Sequence, residues 1–162
     1  MKKLALTDFA KYRYPSALEL SPDSRYLTFA LKDVDREGDG YRWNLWLYDL
    51  ESRESRQITQ GDDQRKAVWE DNTHILYKTT EPDEAMRARG FEEEWTVYHR
   101  LNVCTGEDRE AFRLPMSVSG LWKMDEGRYV FTGETHLDRP NLLELTGQAL
   151  EKELVRRQQT KG

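Results

Sequence analysis

Short apolar segments alternate with polar turns along most of the chain. The segments are rich in aromatic and β-branched residues, and several are apolar on both alternating faces. They span residues 26–31, 45–50, 75–77, 95–103 and 129–132. All five prolines lie between these segments, where residues that mark strand boundaries are expected. The pattern predicts a mostly β protein whose strands lie between packed layers.

The predicted strands repeat as a unit. A polar turn, a basic or imidazole residue and then a strand occur at residues 21–30, 69–79 and 123–133. The basic or imidazole residues are Arg25, His74 and Arg128, so the repeat steps are 49 and 54 residues. A further strand precedes each turn, at residues 16–20, 66–69 and 117–122.

Each unit continues with a third strand, which ends near a matching apolar residue: Leu50, Val103 and Leu145. Short fourth strands follow in the first two units, at residues 55–59 and 110–114. Four strands that repeat every 40–55 residues are typical of the blades of a β-propeller. A closed propeller usually needs four to eight blades, and this chain supplies fewer than three.

The predicted fold is therefore all-β: an incomplete β-propeller of about two and a half to three four-stranded antiparallel blades, with a short N-terminal helix and a helical C-terminal tail. Thr7 is positioned to cap the first helix, and Ala149, Leu150, Leu154 and Val155 form an apolar stripe in the tail. The predicted divisions are a helical segment at 1–15, blades at 16–60 and 61–115, a partial blade at 116–147 and the tail at 148–162.

Composition and charge narrow the classes of function. The 162 residues are 34% charged with a net charge of -5, which disfavours a membrane protein and a nucleic-acid binder. Cys104 is the single cysteine, so neither an intrachain disulfide nor a cysteine metal cluster is expected. The first nine residues lack the apolar stretch of a signal peptide, and we expect a cytoplasmic protein that needs no cofactor.

Residues 6–59 resemble the N-terminus of prolyl oligopeptidase-family serine peptidases of the acylaminoacyl-peptidase type. The resemblance rests on the Ser21-Pro22-Asp23-Ser24 turn, the NLWLYDLES strand that begins at Asn44, and the closing RQIT segment. The AFRLP segment at 111–115 and the GLWKMDEGRYVFTG segment at 120–133 are similar to the start of the family's third blade. Ser24 stands where the family usually has glycine, and the second turn lacks proline.

The resemblance implies a propeller that limits entry of small peptides to an α/β-hydrolase domain, which follows in the family and carries the Ser-Asp-His triad. A nucleophile elbow requires the pattern G-x-S-x-G, and no serine of this chain lies in that context. No catalytic residue is therefore expected here. The alternative is a non-enzymatic propeller fragment, as in TolB-like proteins, that binds another protein.

Two features are candidates for substrate binding. The insertion at residues 81–94 ends in Glu92, Glu93 and Glu94, whose charge can attract a peptide N-terminus. Arg87 and Arg89 lie close enough in sequence to neutralise these carboxylates, and a solvated acidic surface is the simpler interpretation. Trp43, at the loop end of a strand, is a candidate exposed contact. The remaining tryptophans and tyrosines are expected to pack between blades.

Other polar clusters favour structural interpretations. The acidic loop at 33–39 begins like a calcium loop, but Asn44 stands where the bidentate glutamate is needed. Glu134, His136 and Asp138 alternate in a predicted surface loop, and His99 is in phase with apolar neighbours on a strand. We therefore predict no metal site and a structural His99 that bonds to backbone.

The missing blades have a physical consequence. An unfinished propeller exposes one blade face, including Trp122 and Phe131, together with strand edges that can pair with other chains. We therefore expect the isolated chain to be marginally stable and to self-associate.

Overall fold

The computed structural model describes residues 12–35, 40–61, 63–125, 127–135 and 138–160. The strands in these parts of the chain are β1 (Tyr14–Leu20), β2 (Tyr26–Asp35), β3 (Gly40–Asp49), β4 (Glu54–Gln57), β5 (Ala67–Trp69), β6 (His74–Pro82), β7 (Glu94–Asn102), β8 (Asp108–Leu114), β9 (Ser117–Asp125) and β10 (Arg128–Glu134). The helices are α1 (Glu84–Arg87), α2 (Gly147–Thr160) and a 3-10 helix at Leu142–Glu144. The helix predicted around Thr7 lies outside the described residues.

The strands form three antiparallel sheets that follow chain order. The first sheet has the order β1-β2-β3-β4, the second β5-β6-β7-β8, and the third pairs β9 with β10. The longest ladder joins β2 and β3 from Tyr26↔Asp49 to Asp35↔Gly40 without a break. The predicted all-β fold is confirmed, and the four-strand repeat is confirmed for the first two sequence repeats. The predicted helical tail appears as α2.

The third repeat departs from the prediction, because the segment that ends at Leu145 forms a 3-10 helix and not a strand. Asn141 caps this helix by accepting a hydrogen bond from Leu143 N at 3.0 Å, and its amide donates to the carbonyl of Pro115. The tight turn buries Leu142 in an apolar cluster with Phe91. Capping and burial of one leucine therefore outweigh strand pairing here.

The first polar turn is held together by Ser21 and Asp23. Ser24 N donates to Ser21 O at 2.8 Å, and the buried Ser21 hydroxyl donates to Asp23 Oδ1 at 2.6 Å. The hydrogen bond from the Ser21 hydroxyl, and then that from the Arg25 N–H, lower the pKa of Asp23. Ser24 adopts the left-handed conformation, with φ of 60°. The predicted turn is therefore present, and serine occupies a backbone conformation that favours glycine.

We expect Ser24→Gly to stabilise the chain. Glycine relieves a left-handed strain of about 1–2 kcal/mol but adds freedom to the unfolded chain, so the net gain is about 0.5–1 kcal/mol. Urea denaturation followed by far-UV circular dichroism measures the change. Ser24→Ala is the matched control, because it removes the hydroxyl and keeps the strain. A gain in Ser24→Ala, or none in Ser24→Gly, contradicts the prediction.

The chain divides into two compact units that are discontinuous in sequence. One contains the described residues up to Thr79 together with Tyr98–Ala111, and the other contains Thr80–Val97 and the residues from Phe112 onward.

The helices were compared with the length and hydropathy that a membrane-spanning helix requires. In the described ranges, none of them meets both requirements.

The core of the first unit brings strands of two sheets together. Its fully or nearly buried members are Ala30, Leu45, Leu47, Ala67, Trp69, Ile75, Tyr77, Leu101 and Val103. Trp69 stacks on Tyr26 with ring centroids 6.4 Å apart, and its indole N–H donates to Glu19 O at 3.1 Å. These two rings confirm the predicted packing of aromatic residues between sheets. The same unit contains Cys104, which is exposed and free.

The core of the second unit is smaller and involves α2. Leu154 of this helix packs with Met86, Phe91 and Leu142, and Leu150 lies against the cluster. The predicted stripe is only partly correct, because Ala149 and Val155 are exposed. The inward positions are Leu150, Glu153, Leu154 and Arg157, which follow the helical spacing of three and four residues. Two of the four are therefore charged.

Candidate functional site

The acidic segment Glu92–Glu94 lies at the end of a structured insertion in the second unit. Asp83 begins this insertion and caps α1 by accepting a hydrogen bond from Met86 N at 2.9 Å. Its other carboxylate oxygen accepts the Trp95 indole N–H, also at 2.9 Å. The Trp95 hydrogen bond and the Met86 N–H lower the pKa of Asp83. One carboxylate thus joins both ends of the insertion.

The glutamates alternate between outward and inward positions. Phe91 is buried beside Met86, and the turn before it uses Gly90 with a φ of 81°. Glu92 and Glu94 are exposed on either side of the half-buried Glu93. The burial of Phe91 therefore sets which two carboxylates face solvent.

Two cavities border this acidic segment. One has a volume of about 390 Å³ and also includes Glu134, Arg139 and Arg157 in its lining. The second, of about 530 Å³, lies toward Pro82, Arg87 and Phe91. The first cavity is thus lined by four glutamates and two arginines, a carboxylate excess that favours cationic ligands.

Arg157 holds the inward carboxylate. Its Nη1 donates to Glu93 Oε1 at 3.1 Å, its Nε to Glu153 Oε1 at 3.0 Å and its Nη2 to Pro140 O at 2.5 Å. The side chains of Arg157 and Glu153 are only 15% and 10% exposed. Glu93 is therefore already bound by a cation of the same chain, whereas Glu92 and Glu94 present their carboxylates outward.

Glu153 receives two guanidinium groups. Arg156 donates to both of its carboxylate oxygens at 2.6 and 2.8 Å, in addition to the contact from Arg157. The hydrogen bonds from Arg156 are the main cause that lowers the pKa of Glu153 to about 2, and burial opposes them. Glu153 consequently stays ionised at any ordinary pH and keeps Arg157 pointed at Glu93.

Arg87 and Arg89, which the sequence places close enough to neutralise the acidic segment, pair with other carboxylates. Arg87 lies 3.6 Å from Glu84, and Arg89 makes a bidentate contact with Glu151 of α2 at 2.8 and 2.6 Å. Arg157 takes the role instead. The sequence carried a signal for it, since Glu153 and Arg157 are four residues apart on a predicted helix.

Trp43, in the first unit, is not the open contact that the sequence predicted. Its ring is half-buried, with the Arg65 guanidinium carbon 4.1 Å and the Lys32 ammonium 5.3 Å from the ring centroid. The ring of Tyr41 lies 5.9 Å away. Cations of the chain itself therefore contact this indole, as cation–π geometry favours.

His99 packs as a structural residue, although its partners are side chains and not the predicted backbone groups. Its ring stacks on Tyr77 at 5.2 Å, and Nε2 lies 3.2 Å from the Thr79 hydroxyl. Asp108 Oδ1 lies 3.7 Å from Nδ1, and Asp108 Oδ2 accepts a hydrogen bond from the Tyr77 hydroxyl at 2.5 Å. Burial and the contact with Asp108 raise the pKa of Tyr77 well above its usual range.

In the acidic loop at 33–39, two carboxylates pair with arginines. Asp33 pairs with Arg13 and Asp35 with Arg42, both at 3.0 Å, and the rest of that loop lies outside the described residues. His136 also lies outside them, between Glu134 and Asp138. Among the residues that the structure describes, no group of three or more His, Cys, Asp or Glu side chains is placed to hold a metal ion.

The fold is similar to parts of two archaeal peptidase structures. The β-propeller domain of the trilobed protease from Pyrococcus furiosus, described as having an open velcro topology, matches 76% of this chain with a TM-score of 0.54 and 13% identity. The acylaminoacyl peptidase from Pyrococcus horikoshii matches 77% with a TM-score of 0.57 and 15% identity. The three sheets form a partial β-propeller.

The propeller portion covers only a fraction of each similar structure: the chain spans 34% of the length of the first and 18% of the second. No protein-family model matches the sequence, and a search of curated proteins finds no match either. The first two sheets are whole blades and the third is half a blade. At these identities the likeness establishes the propeller fold.

Proposed function

We propose that this partial propeller belongs to a serine peptidase that hydrolyses short peptides, and that it gates access to an α/β-hydrolase domain outside the chain. The likeness to the propellers of two peptidases, together with the resemblance of residues 6–59, carries the proposal. No serine of the sequence lies in a G-x-S-x-G context, so the proposed role of this chain is to admit and orient peptides. A cytoplasmic location is part of the proposal, and the free thiol of Cys104 suits a reducing compartment.

The proposed contact for a peptide is the outward pair Glu92 and Glu94. Both carboxylates are exposed beside the 390 Å³ cavity, in which acidic groups outnumber basic ones. A positively charged peptide N-terminus is attracted by such a field and loses this attraction when it is acetylated. Because Arg157 binds Glu93, the middle glutamate orients the segment and the outer two bind the ligand.

A titration with a matched pair of peptides tests this site. The 15N-labelled chain is titrated with a tripeptide that has a free N-terminus and with its N-acetylated form. We expect the free peptide to bind several-fold more tightly, and the Glu92→Gln/Glu94→Gln variant to abolish the difference. Glu107→Gln, at an exposed turn of the first unit, is the control and retains it. Equal binding of both peptides contradicts the proposed site.

The peptidase context is tested separately in the organism's own cells. An antibody against residues 81–94 detects the native protein, and a fluorophosphonate probe reports an active serine. A band several times larger than this 162-residue chain that carries the probe supports the proposal. A native product of this size, with no probe on it or on a co-purifying partner, overturns it in favour of a protein-binding propeller fragment.

A further inference from the structure

The third sheet ends at an open strand. It has two strands whereas the other sheets have four, and in the described part of the chain no further strand pairs with β10. A two-stranded sheet is marginally stable in water, and its edge carries backbone groups that can pair with another strand. The edge of β10 is therefore a candidate for pairing between chains.

The sequence of β10 is complementary to itself when it is reversed. The strand reads Arg128-Tyr-Val-Phe-Thr-Gly-Glu134, with Phe131 at its centre. Antiparallel pairing of two copies about Phe131 places Arg128 of each copy opposite Glu134 of the other. Val130 then faces Thr132, and the two Phe131 residues face each other. Opposite charges in directly facing positions stabilise an antiparallel pair.

The faces of the third sheet supply apolar surface for the same contact. Val130 is 49% exposed and pairs with Trp122 of β9, which is 47% exposed, so these two side chains share one face. Phe131 is 41% exposed and shares the other face with Leu121. A strand added beside β10 would cover part of both faces.

We propose that two copies of this chain associate through antiparallel pairing of their β10 strands about a two-fold axis. The product is a continuous sheet in the order β9-β10-β10-β9. It contains four strands, the number found in each of the other two sheets. Self-complementary charge identifies the occupant of the edge as a second copy, because in a two-fold contact every residue pair occurs twice.

The charge pair is available for this contact. The side chain of Arg128 is 77% exposed and uses Nε and Nη2 to contact Asp125 of its own chain, which leaves Nη1 to reach another carboxylate. Glu134 is exposed at the far end of the strand.

Reversing the charge at Arg128 or Glu134 in the full chain provides the test. Sedimentation equilibrium measures the dimerisation constant of each variant. We expect the unsubstituted chain to dimerise, and Arg128→Glu or Glu134→Arg to weaken dimerisation about tenfold, since each places like charges opposite twice. The double variant Arg128→Glu/Glu134→Arg restores opposite charges and is expected to dimerise like the original. Dimerisation that is unchanged by the single reversals overturns the proposal. So does a double variant that dimerises as weakly as the single variants.

Disulfide crosslinking tests the register independently of charge and of any local effect on Asp125. In a Cys104→Ser background, Phe131→Cys places two thiols opposite each other, where strand spacing suits a disulfide. We expect a crosslinked dimer on oxidation, whereas Leu18→Cys, at a more exposed site on β1, stays monomeric. Crosslinking no greater than in the Leu18 variant overturns the proposal. A monomeric unsubstituted chain also overturns it and leaves the edge to a strand from a different polypeptide.

Discussion

Replacing Trp69 by alanine is expected to lower the free energy of unfolding by about 3–5 kcal/mol, the largest loss we predict for a single substitution. Trp69 is 8% exposed at the end of β5, in the cluster that also contains Leu45 and Ile75. The change removes the stacking on Tyr26 and the hydrogen bond to Glu19 O, and it opens a cavity where two blades meet. Since a domain is commonly stable by about 5–15 kcal/mol, much of the margin is lost.

Trp122→Ala is the matched control. Both tryptophans lie on the first strand of their sheets, but Trp122 is 47% exposed, and its removal is expected to cost less than about 1 kcal/mol. Urea denaturation followed by far-UV circular dichroism compares the two without relying on tryptophan fluorescence. Trp69→Phe is included because it retains the ring contact. Equal losses in Trp69→Ala and Trp122→Ala would show that Trp69 does not anchor the blade contact.

Replacing Arg157 by alanine is expected to release α2 from the insertion at a cost of about 2–3 kcal/mol. The guanidinium donates hydrogen bonds to three acceptors. Its loss leaves the carboxylates of Glu93 and Glu153 largely buried and without this cationic partner. Amide hydrogen exchange of α2 measures the release, and we expect it to accelerate by at least tenfold. The carboxylate of Glu93, released from Arg157, would also become available to a cationic ligand.

Arg156→Ala separates this effect from a general loss of charge. Arg156 also binds Glu153, yet its side chain is 52% exposed and contacts no residue of the insertion among the described hydrogen bonds. We expect a change in α2 exchange of less than threefold, as is usual for exposed ion pairs. If Arg156→Ala and Arg157→Ala accelerate exchange equally, the contact with Glu93 is not what holds the helix.

The sequence predicts the blades well because their signals are local. Alternating apolar positions and the turns at Ser21 and Asp125 recur at a fixed spacing, and both features depend on near neighbours. The segment ending at Leu145 has the same apolar character and yet forms a 3-10 helix. Its structure depends on packing in a cluster with Phe91 and Leu154. No residue close to Leu145 in sequence indicates the contact with Phe91.

The position of the acidic segment can be predicted from the sequence, but the cation that pairs with it cannot. The charges of Glu92–Glu94 are visible in sequence, and Glu92 and Glu94 are exposed beside a cavity. The cation that meets Glu93 comes from 64 residues away. Trp43 shows the same limit, because an aromatic residue at a strand end gives no indication that Arg65 will cover it.

The discontinuity of the two compact units sets an order for folding. The first sheet is built from neighbouring hairpins, and the β2–β3 ladder closes across a few residues, so its loop entropy is small. The cluster of the second unit joins Phe91 to Leu154, and it cannot form until a long stretch of chain has been brought together. We therefore expect the contacts between the 81–94 insertion and α2 to form later than the β2–β3 ladder.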